Sequence, residues 1–253
     1  MPRRVNLIPM AGAGQRFLDA GYQQPKPLID VCGEPMILRA ARSMPQPDLW
    51  IFVCREDHVN LANIDKELNQ LFQPCRIITI DRLTEGQAAT CLLAREELKS
   101  DDQLTIGACD NGMIWDQARY DSLLADTEND FLVWTFRNHP NVLQDPRMYG
   151  WVRTAPGAEI TGVSVKMPIS EYPMLDHAVV GTFTFRRAEC FLNAADQMIK
   201  SDARIRNEFY VDEVVNFALQ SGALGRPFEI NRYICWGTPH DLESYIAADH
   251  SHI

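Results

Sequence analysis

The residues best suited to chemistry lie between Val5 and Met36. Gly12 and Gly14 are followed by Arg16, and Lys26 stands between Pro25 and Pro27. Glycines let backbone N–H groups close on an anion. A helix start behind them adds partial positive charge. Arg16 offers a planar fork and Lys26 a point charge. The prolines fix φ on both sides of Lys26 and argue against helix there. The lysine is therefore expected in a stiff, extended segment that costs little entropy to aim. Together these parts describe a phosphate-handling site. Two standard phosphate motifs are absent: no G-x-x-x-x-G-K-[ST] occurs, and Phe17 holds the place of the third glycine in G-x-G-x-x-G.

A carboxylate follows at the right kind of place. The apolar run Leu104–Cys109 ends at Asp110, and ligands of open α/β sheets bind beyond the carboxyl ends of strands. Parallel strands ending at Gly12 and at Asp110 would share one crevice, where Asp110 could bridge Mg²⁺ to phosphate oxygens. The bland alternative is that Asp110 opens a turn with Asn111 and Gly112. Glu85-Gly86-Gln87-Ala88-Ala89 starts a helix with small residues, against which a flat base could lie. Lys166 closes the Ile160–Lys166 run, and Met167-Pro168 stops pairing after it.

The elements that must hold these residues alternate early in the chain. Strands are expected at Val5–Met10, Trp50–Cys54, Cys75–Ile80 and Leu104–Cys109. Helices are expected at Leu38–Met44, Leu61–Phe72 and Glu85–Leu98. That rhythm predicts an α/β fold, a Rossmann-like, mostly parallel central sheet with helices on both faces. Beyond Asp110 the pattern turns β-rich: Phe131–Phe136, Gly150–Arg153, Ile160–Lys166 and Val179–Phe185 read as strands. Ala188–Ile199 and Glu208–Gln220 read as helices. Thr238 as N-cap and Pro239 behind it open a last one, and Asp249 to Ile253 should fray. One domain over 1–253 is expected, with a nucleotide half (1–115) and an acceptor half (116–253).

Bulk properties narrow the partners. The 253 residues are 46% hydrophobic, enough for a sizeable core. Against 24 basic residues stand 34 acidic ones, a net charge of -10, which excludes a broad basic face for nucleic acid or anionic membrane. No apolar run nears the ~18 residues of a membrane span. Met1-Pro2-Arg3-Arg4 leads straight into a strand-like segment without a signal-peptide core. The seven cysteines are scattered without C-x-x-C spacing. Reduced thiols in a cytoplasm, and no structural zinc, are expected.

G-x-G-x-R, then P-K-P-L, then G-x-P-M at Gly33–Met36 resembles the signature of the nucleoside-triphosphate transferases. These are the sugar-phosphate nucleotidylyltransferases, or nucleotide-sugar pyrophosphorylases. The wording is similar to a bacterial capsule and surface-polysaccharide subgroup. It covers the first seventh of the chain. The resemblance implies transfer of a nucleoside monophosphate from an NTP to a phosphorylated acceptor, with Mg²⁺ as cofactor. The acceptor would be a sugar 1-phosphate or a small metabolite such as phosphocholine or phosphoglutamine, the last two served by related cytidylyltransferases. It assigns the nucleotide to Met10, Ala11, Gly12, Gly14, Gln15, Arg16, Glu85, Gly86 and Asp110. It assigns the acceptor to Lys166, Gly181 and Glu208, with Arg16, Lys26 and Lys166 catalytic and Asp110 on the metal. Where the family usually has a second Asp, two residues before a Gly-Thr, this chain has Cys235. Either Asp110 suffices as the protein ligand, or Asp241 or Glu243 supplies another. A glycosyltransferase would need an acidic pair such as D-x-D where Asp110-Asn111-Gly112 stands. A non-catalytic regulatory homologue is supported by Cys235 alone. The base, the exact acceptor and any homo-oligomer stay open.

Overall fold

A computed structural model of the protein describes residues 2–248. The chain runs β1 (Arg4–Pro9), α1 (Gln15–Asp19), a 3₁₀ turn (Lys26–Leu28), β2 (Asp30–Val31), β3 (Glu34–Pro35), α2 (Met36–Arg42), β4 (Leu49–Arg55), α3 (Glu56–Ala62), α4 (Ile64–Leu71) and β5 (Cys75–Ile80). It continues through α5 (Gln87–Leu92), β6 (Gln103–Ile106), β7 (Asn111–Ile114), α6 (Gln117–Ala125), β8 (Phe131–Phe136), α7 (Asn141–Gln144), β9 (Gly150–Thr154) and β10 (Ile160–Val165). It ends with β11 (His177–Phe185), α8 (Ala188–Lys200), α9 (Val211–Gln220), β12 (Gly225–Glu229), β13 (Arg232–Cys235) and α10 (Pro239–Ala247).

Among the described residues, nine strands make one sheet. The order β10-β9-β11-β6-β1-β4-β5 carries β8 on β11 and β12 on β8. The β6-β1-β4-β5 centre is parallel. From β11 onward the pairing is antiparallel, apart from β12 on β8. The expected α/β class is therefore present, with the β-rich part attached through β11. All of Leu49–Cys54 and all of Phe131–Phe136 are buried, as strands covered on both faces should be. α8 buries Ala188, Phe191, Ala194, Ala195 and Met198, one face at helical spacing.

Several expected boundaries move for local reasons. The predicted helix over 61–72 breaks at Asn63, a left-handed residue with φ 51°, which ends α3 and begins α4. The predicted 85–98 helix starts only at Gln87, because Gly86 at φ 124° lies outside helical space, and it ends at Leu92, with a separate 3₁₀ turn at Arg95–Glu97. Lys26 is not extended: Pro25 at φ -53° feeds a 3₁₀ turn, with Pro27 at a helix-tolerated early position. The 208–220 helix starts at Val211, leaving Glu208 in the preceding turn. The fraying expected of Asp249 to Ile253 falls outside the described residues. The last helix is capped as expected: Thr238 Oγ1 accepts the Asp241 N–H at 3.1 Å.

Candidate active site

β1 and β6 are parallel neighbours, with Leu7 opposite Ile106. Their carboxyl ends release two loops side by side: Met10–Gly14, and Gly107–Asp110. The strand expected to reach Cys109 stops at Ile106. Asn111 and Gly112 do not form a turn but begin β7, paired with β13. That pairing places Cys235 opposite Asn111. The Trp236 N–H then donates to the Asp110 carbonyl at 3.0 Å, bringing the last loop against the same corner.

Gly14 has φ 66°, and a Cβ there would sit 3.0 Å from Lys26 Cβ. The glycine loop and the lysine turn therefore pack directly on one another. Phe17 is buried and secures α1 from below, with Lys26 Nζ 5.4 Å from its ring centre. Lys26 Nζ donates to Asp110 Oδ2 at 2.5 Å and to the Gly237 carbonyl at 3.0 Å. Burial works against the charge on Asp110, but Lys26 outweighs it, with Lys166 and Arg16 helping, and its carboxyl is held below the usual range. Burial likewise opposes the charge on Lys26, and Asp110 overrides it to raise that pKa.

A pocket of about 180 Å³ opens beside this pair. Arg16, Asp110, Tyr149, Lys166, Asp212 and Tyr233 are among its walls. Arg16 is exposed, and its guanidinium has no hydrogen-bond partner among the described residues. Lys166 follows β10 in a left-handed conformation, φ 59°, that turns it away from the strand. Its Nζ bonds the Met148 carbonyl and lies 5.3 Å from the Tyr210 ring centre. Burial lowers its pKa, Asp212 pulling the other way. Burial also raises the Asp212 carboxyl, against the pull of Lys166. Gly150 makes room for that carboxylate, since a Cβ there would lie 2.0 Å from Asp212 Oδ1.

A wider cleft of about 980 Å³ lies at the amino ends of β1 and β6, lined by Arg3, Arg4, Thr105, Tyr120 and Arg186. Its arginines are already engaged: Arg3 with Asp102, Arg4 with Asp48, Arg186 with backbone carbonyls. Arg16, without a hydrogen-bond partner among the described residues, and the strand-end carboxylate of Asp110 line the smaller pocket at the other end, which is therefore the candidate site.

No protein-family model matches the chain, and no curated protein sequence does. Solved structures do. The nucleoside-diphosphate-sugar pyrophosphorylase from Vibrio cholerae RC9 aligns with a TM-score of 0.78 at 20% identity, over 96% of this chain and 100% of that one. The inositol-1-phosphate CTP transferase from T. maritima gives 0.74 at 16% identity, over 97% of each chain. The UTP-bound UGPase from Acinetobacter baumannii gives 0.72 at 17%, over 97% of this chain and 92% of that one. The chain has the sugar-phosphate nucleotidyltransferase fold.

Within this nucleotidyltransferase fold the residues singled out from sequence divide. Arg16, Asp110 and Lys166 share the pocket, and Lys26 meets Asp110 at its edge. Gly86 does not lie open to a base on its Cα side: a Cβ there would meet Phe209 N at 2.5 Å. Phe209 and the 85–88 segment exchange two backbone bonds at that approach. Glu85 is exposed and paired with Arg204. Gly181, φ 94°, sits in an irregular stretch of β11 with Ala108 against it, while neighbouring Val179 and Val180 line the pocket. Glu208 is exposed outside that lining. Of the candidate second acids, Glu243 is exposed and meets Tyr22 at 3.4 Å, whereas Asp241 is buried next to Cys235. Asp212, Tyr149 and Tyr233 were missed. Tyr233 and Cys235 alternate along β13, the one signal that would have paired them. Asp212 reaches the pocket only because Gly150 yields to it, a contact across about sixty residues of chain.

Proposed function

We propose that this chain transfers a nucleoside monophosphate from an NTP to the phosphate of a small acceptor, releasing pyrophosphate. One observation carries the reading. Three cations, Arg16, Lys26 and Lys166, and one low-pKa carboxylate, Asp110, meet at the carboxyl ends of β1 and β6. An acceptor phosphate oxygen is already anionic. It attacks the α-phosphorus, the bond from that phosphorus to the β-phosphate bridging oxygen breaks, and pyrophosphate leaves with the electron pair. No strong base is required; positioning and charge neutralisation carry the step. Arg16, unpartnered, is suited to the departing pyrophosphate. Lys26 spends two of its three donors on Asp110 and Gly237, leaving one for the α-phosphate. Lys166 is suited to the acceptor phosphate, and Asp212 to an acceptor hydroxyl or amine.

The donors fit Mg²⁺ with Asp110 as its protein ligand. Phosphate oxygens and water would complete the ion's shell. Cys235 is a poor donor: burial, with Asp241 nearby, pushes its thiol up to about 12, and sulfur is soft for this ion. When bound, Mg²⁺ would supply charge neutralisation at the triphosphate.

The division into a nucleotide half (1–115) and an acceptor half (116–253) follows the same reading, Lys166 and Asp212 coming from the second. Lys166 and Asp212 together would suit a sugar 1-phosphate or a compact metabolite such as phosphocholine or phosphoglutamine. A role in capsule or surface-polysaccharide synthesis rests on the sequence signature, and a cytidine nucleotide would go with a phosphocholine or phosphoglutamine acceptor. The seven free thiols agree with a cytoplasmic setting. No helix among the described residues is long and apolar enough to cross a membrane. The glycosyltransferase reading loses ground because Gly112 stands where the second acid of a D-x-D would be, and a Cβ there would already lie 3.0 Å from the Trp236 ring. Four NTPs against a panel of phosphorylated acceptors, read as pyrophosphate, test the proposal. Release with no acceptor dependence would sink it.

A further inference from the structure

We propose that Asp241 is a positioning residue for Lys26, acting through the Cys235 thiol and Thr238 on the Gly237 peptide. The inference rests on the nucleotidyl-transfer reading. Asp241 is buried, 7% exposed. A buried carboxylate must be fully partnered, and this one is. Its Oδ1 accepts Asn141 Nδ2 at 2.7 Å. Its Oδ2 accepts the Thr238 hydroxyl at 2.6 Å and the Cys235 thiol at 3.4 Å. Both of its oxygens are thus engaged by Asn141, Thr238 and Cys235.

The thiol passes the constraint on. Cys235 Sγ accepts the Gly237 N–H at 3.5 Å and the Tyr233 hydroxyl at 3.6 Å. The same Gly237 residue offers its carbonyl to Lys26 Nζ at 3.0 Å, and Lys26 reaches Asp110. Gly237 lies between β13 and α10, outside any strand ladder. Its orientation therefore depends on neighbours: Trp236 bonded to the Asp110 carbonyl on one side, Thr238 and Cys235 tied to Asp241 on the other. The route runs Asp241, Cys235 and Thr238, Gly237, Lys26. A carboxylate at position 235 would face the reacting corner directly. Here a thiol stands there, and the second acid is moved one step back, to hold the loop.

A cap alone would explain part of this, since Thr238 opens α10 and Asp241 sits three residues on. The contact to Cys235 is what a cap does not need. Four variants separate the roles: Asp241→Asn, Cys235→Ala, the two combined, and Cys235→Ser. Each is assayed for kcat, for KM of both substrates, for melting temperature, and for Mn²⁺ affinity in the nucleotide complex by electron paramagnetic resonance. Misplacing Lys26 should lower kcat about tenfold in either single variant while both KM values stay within about twofold. The combined variant should lose no more than the worse single one, because both act on one path. Cys235→Ser, which keeps a donor and an acceptor, should recover most of kcat. Mn²⁺ affinity should stay within about twofold of wild type throughout.

Three results overturn the inference alone. A tenfold or greater loss of Mn²⁺ affinity in Asp241→Asn makes it a metal ligand. A lower melting temperature with kcat unchanged makes it only a cap. Multiplying losses in the combined variant remove the shared path. A wild-type protein that releases no pyrophosphate from any NTP overturns the transfer reading instead, and this inference with it.

Discussion

Lys26 and Arg16 are both cations of the glycine loop, but their surroundings differ. Lys26 is held by Asp110 and Gly237, and the Arg16 guanidinium has no hydrogen-bond partner among the described residues. Each should be worth on the order of 3 kcal/mol in the transition state. Arg16→Ala and Lys26→Ala should therefore each cut kcat by more than tenfold, Lys26→Ala at least as severely. If both cost less than about fivefold in kcat/KM, well under that range, the loop does not handle the reacting phosphates. Lys166 gives a pH signature. Burial lowers its pKa, with Arg16 and Arg206 adding to the fall and Asp212 opposing it. A lysine is charged below its pKa, so acceptor binding holds below that pKa and fails as pH rises through it, at a value below the ordinary lysine range. Acceptor KM should climb on the alkaline side while NTP KM stays flat. Lys166→Arg, always charged, should remove the climb; a wild-type acceptor KM that stays level would refute the role. Arg16, Lys26, Lys166 and Asp110 were legible in the sequence because each sits at a strand end or beside a glycine or proline. Asp212 was not, because a helix-start carboxylate looks the same whether it caps or faces a pocket.

Among the elements, the strands read best were β5 and β8, whose bounds match those expected, and the helix read best was α8, with its one apolar face. The shortest pieces escaped. β7 and β13 have four residues each and are strands only because they meet across more than a hundred positions. α6 buries Tyr120 alone and so shows little periodicity. β12 contains Gly225 and Pro227, which speak against a strand, yet it is an edge strand pairing only β8, where proline is tolerated. The junction at Gly86 gives the element-scale prediction. Gly86→Ala would force a Cβ into the Phe209 backbone at an already positive φ. The Phe209–Glu85 and Ala88–Phe209 bonds should break, at a cost of about 1–3 kcal/mol. Thermal unfolding should show a drop of several degrees, and NTP KM should rise with it. A variant that melts like wild type would mean the two segments do not lock together.

At the scale of the whole molecule, a chain of net charge -10 brings three of its 24 basic residues, Arg16, Lys26 and Lys166, to the place where one parallel strand pair ends. The fold supplies that corner, and the solved structures at 16–20% identity share the fold. The central claim is that Asp110 makes the corner a nucleotidyl-transfer site. The most direct test is pyrophosphate release, with and without phosphorylated acceptor and Mg²⁺, by wild type and by Asp110→Asn, with circular dichroism confirming the fold of each. The account predicts that wild type releases pyrophosphate only when NTP, acceptor and Mg²⁺ are all present, and that folded Asp110→Asn releases none. A folded Asp110→Asn protein that turns over at the wild-type rate with the same metal dependence would contradict it.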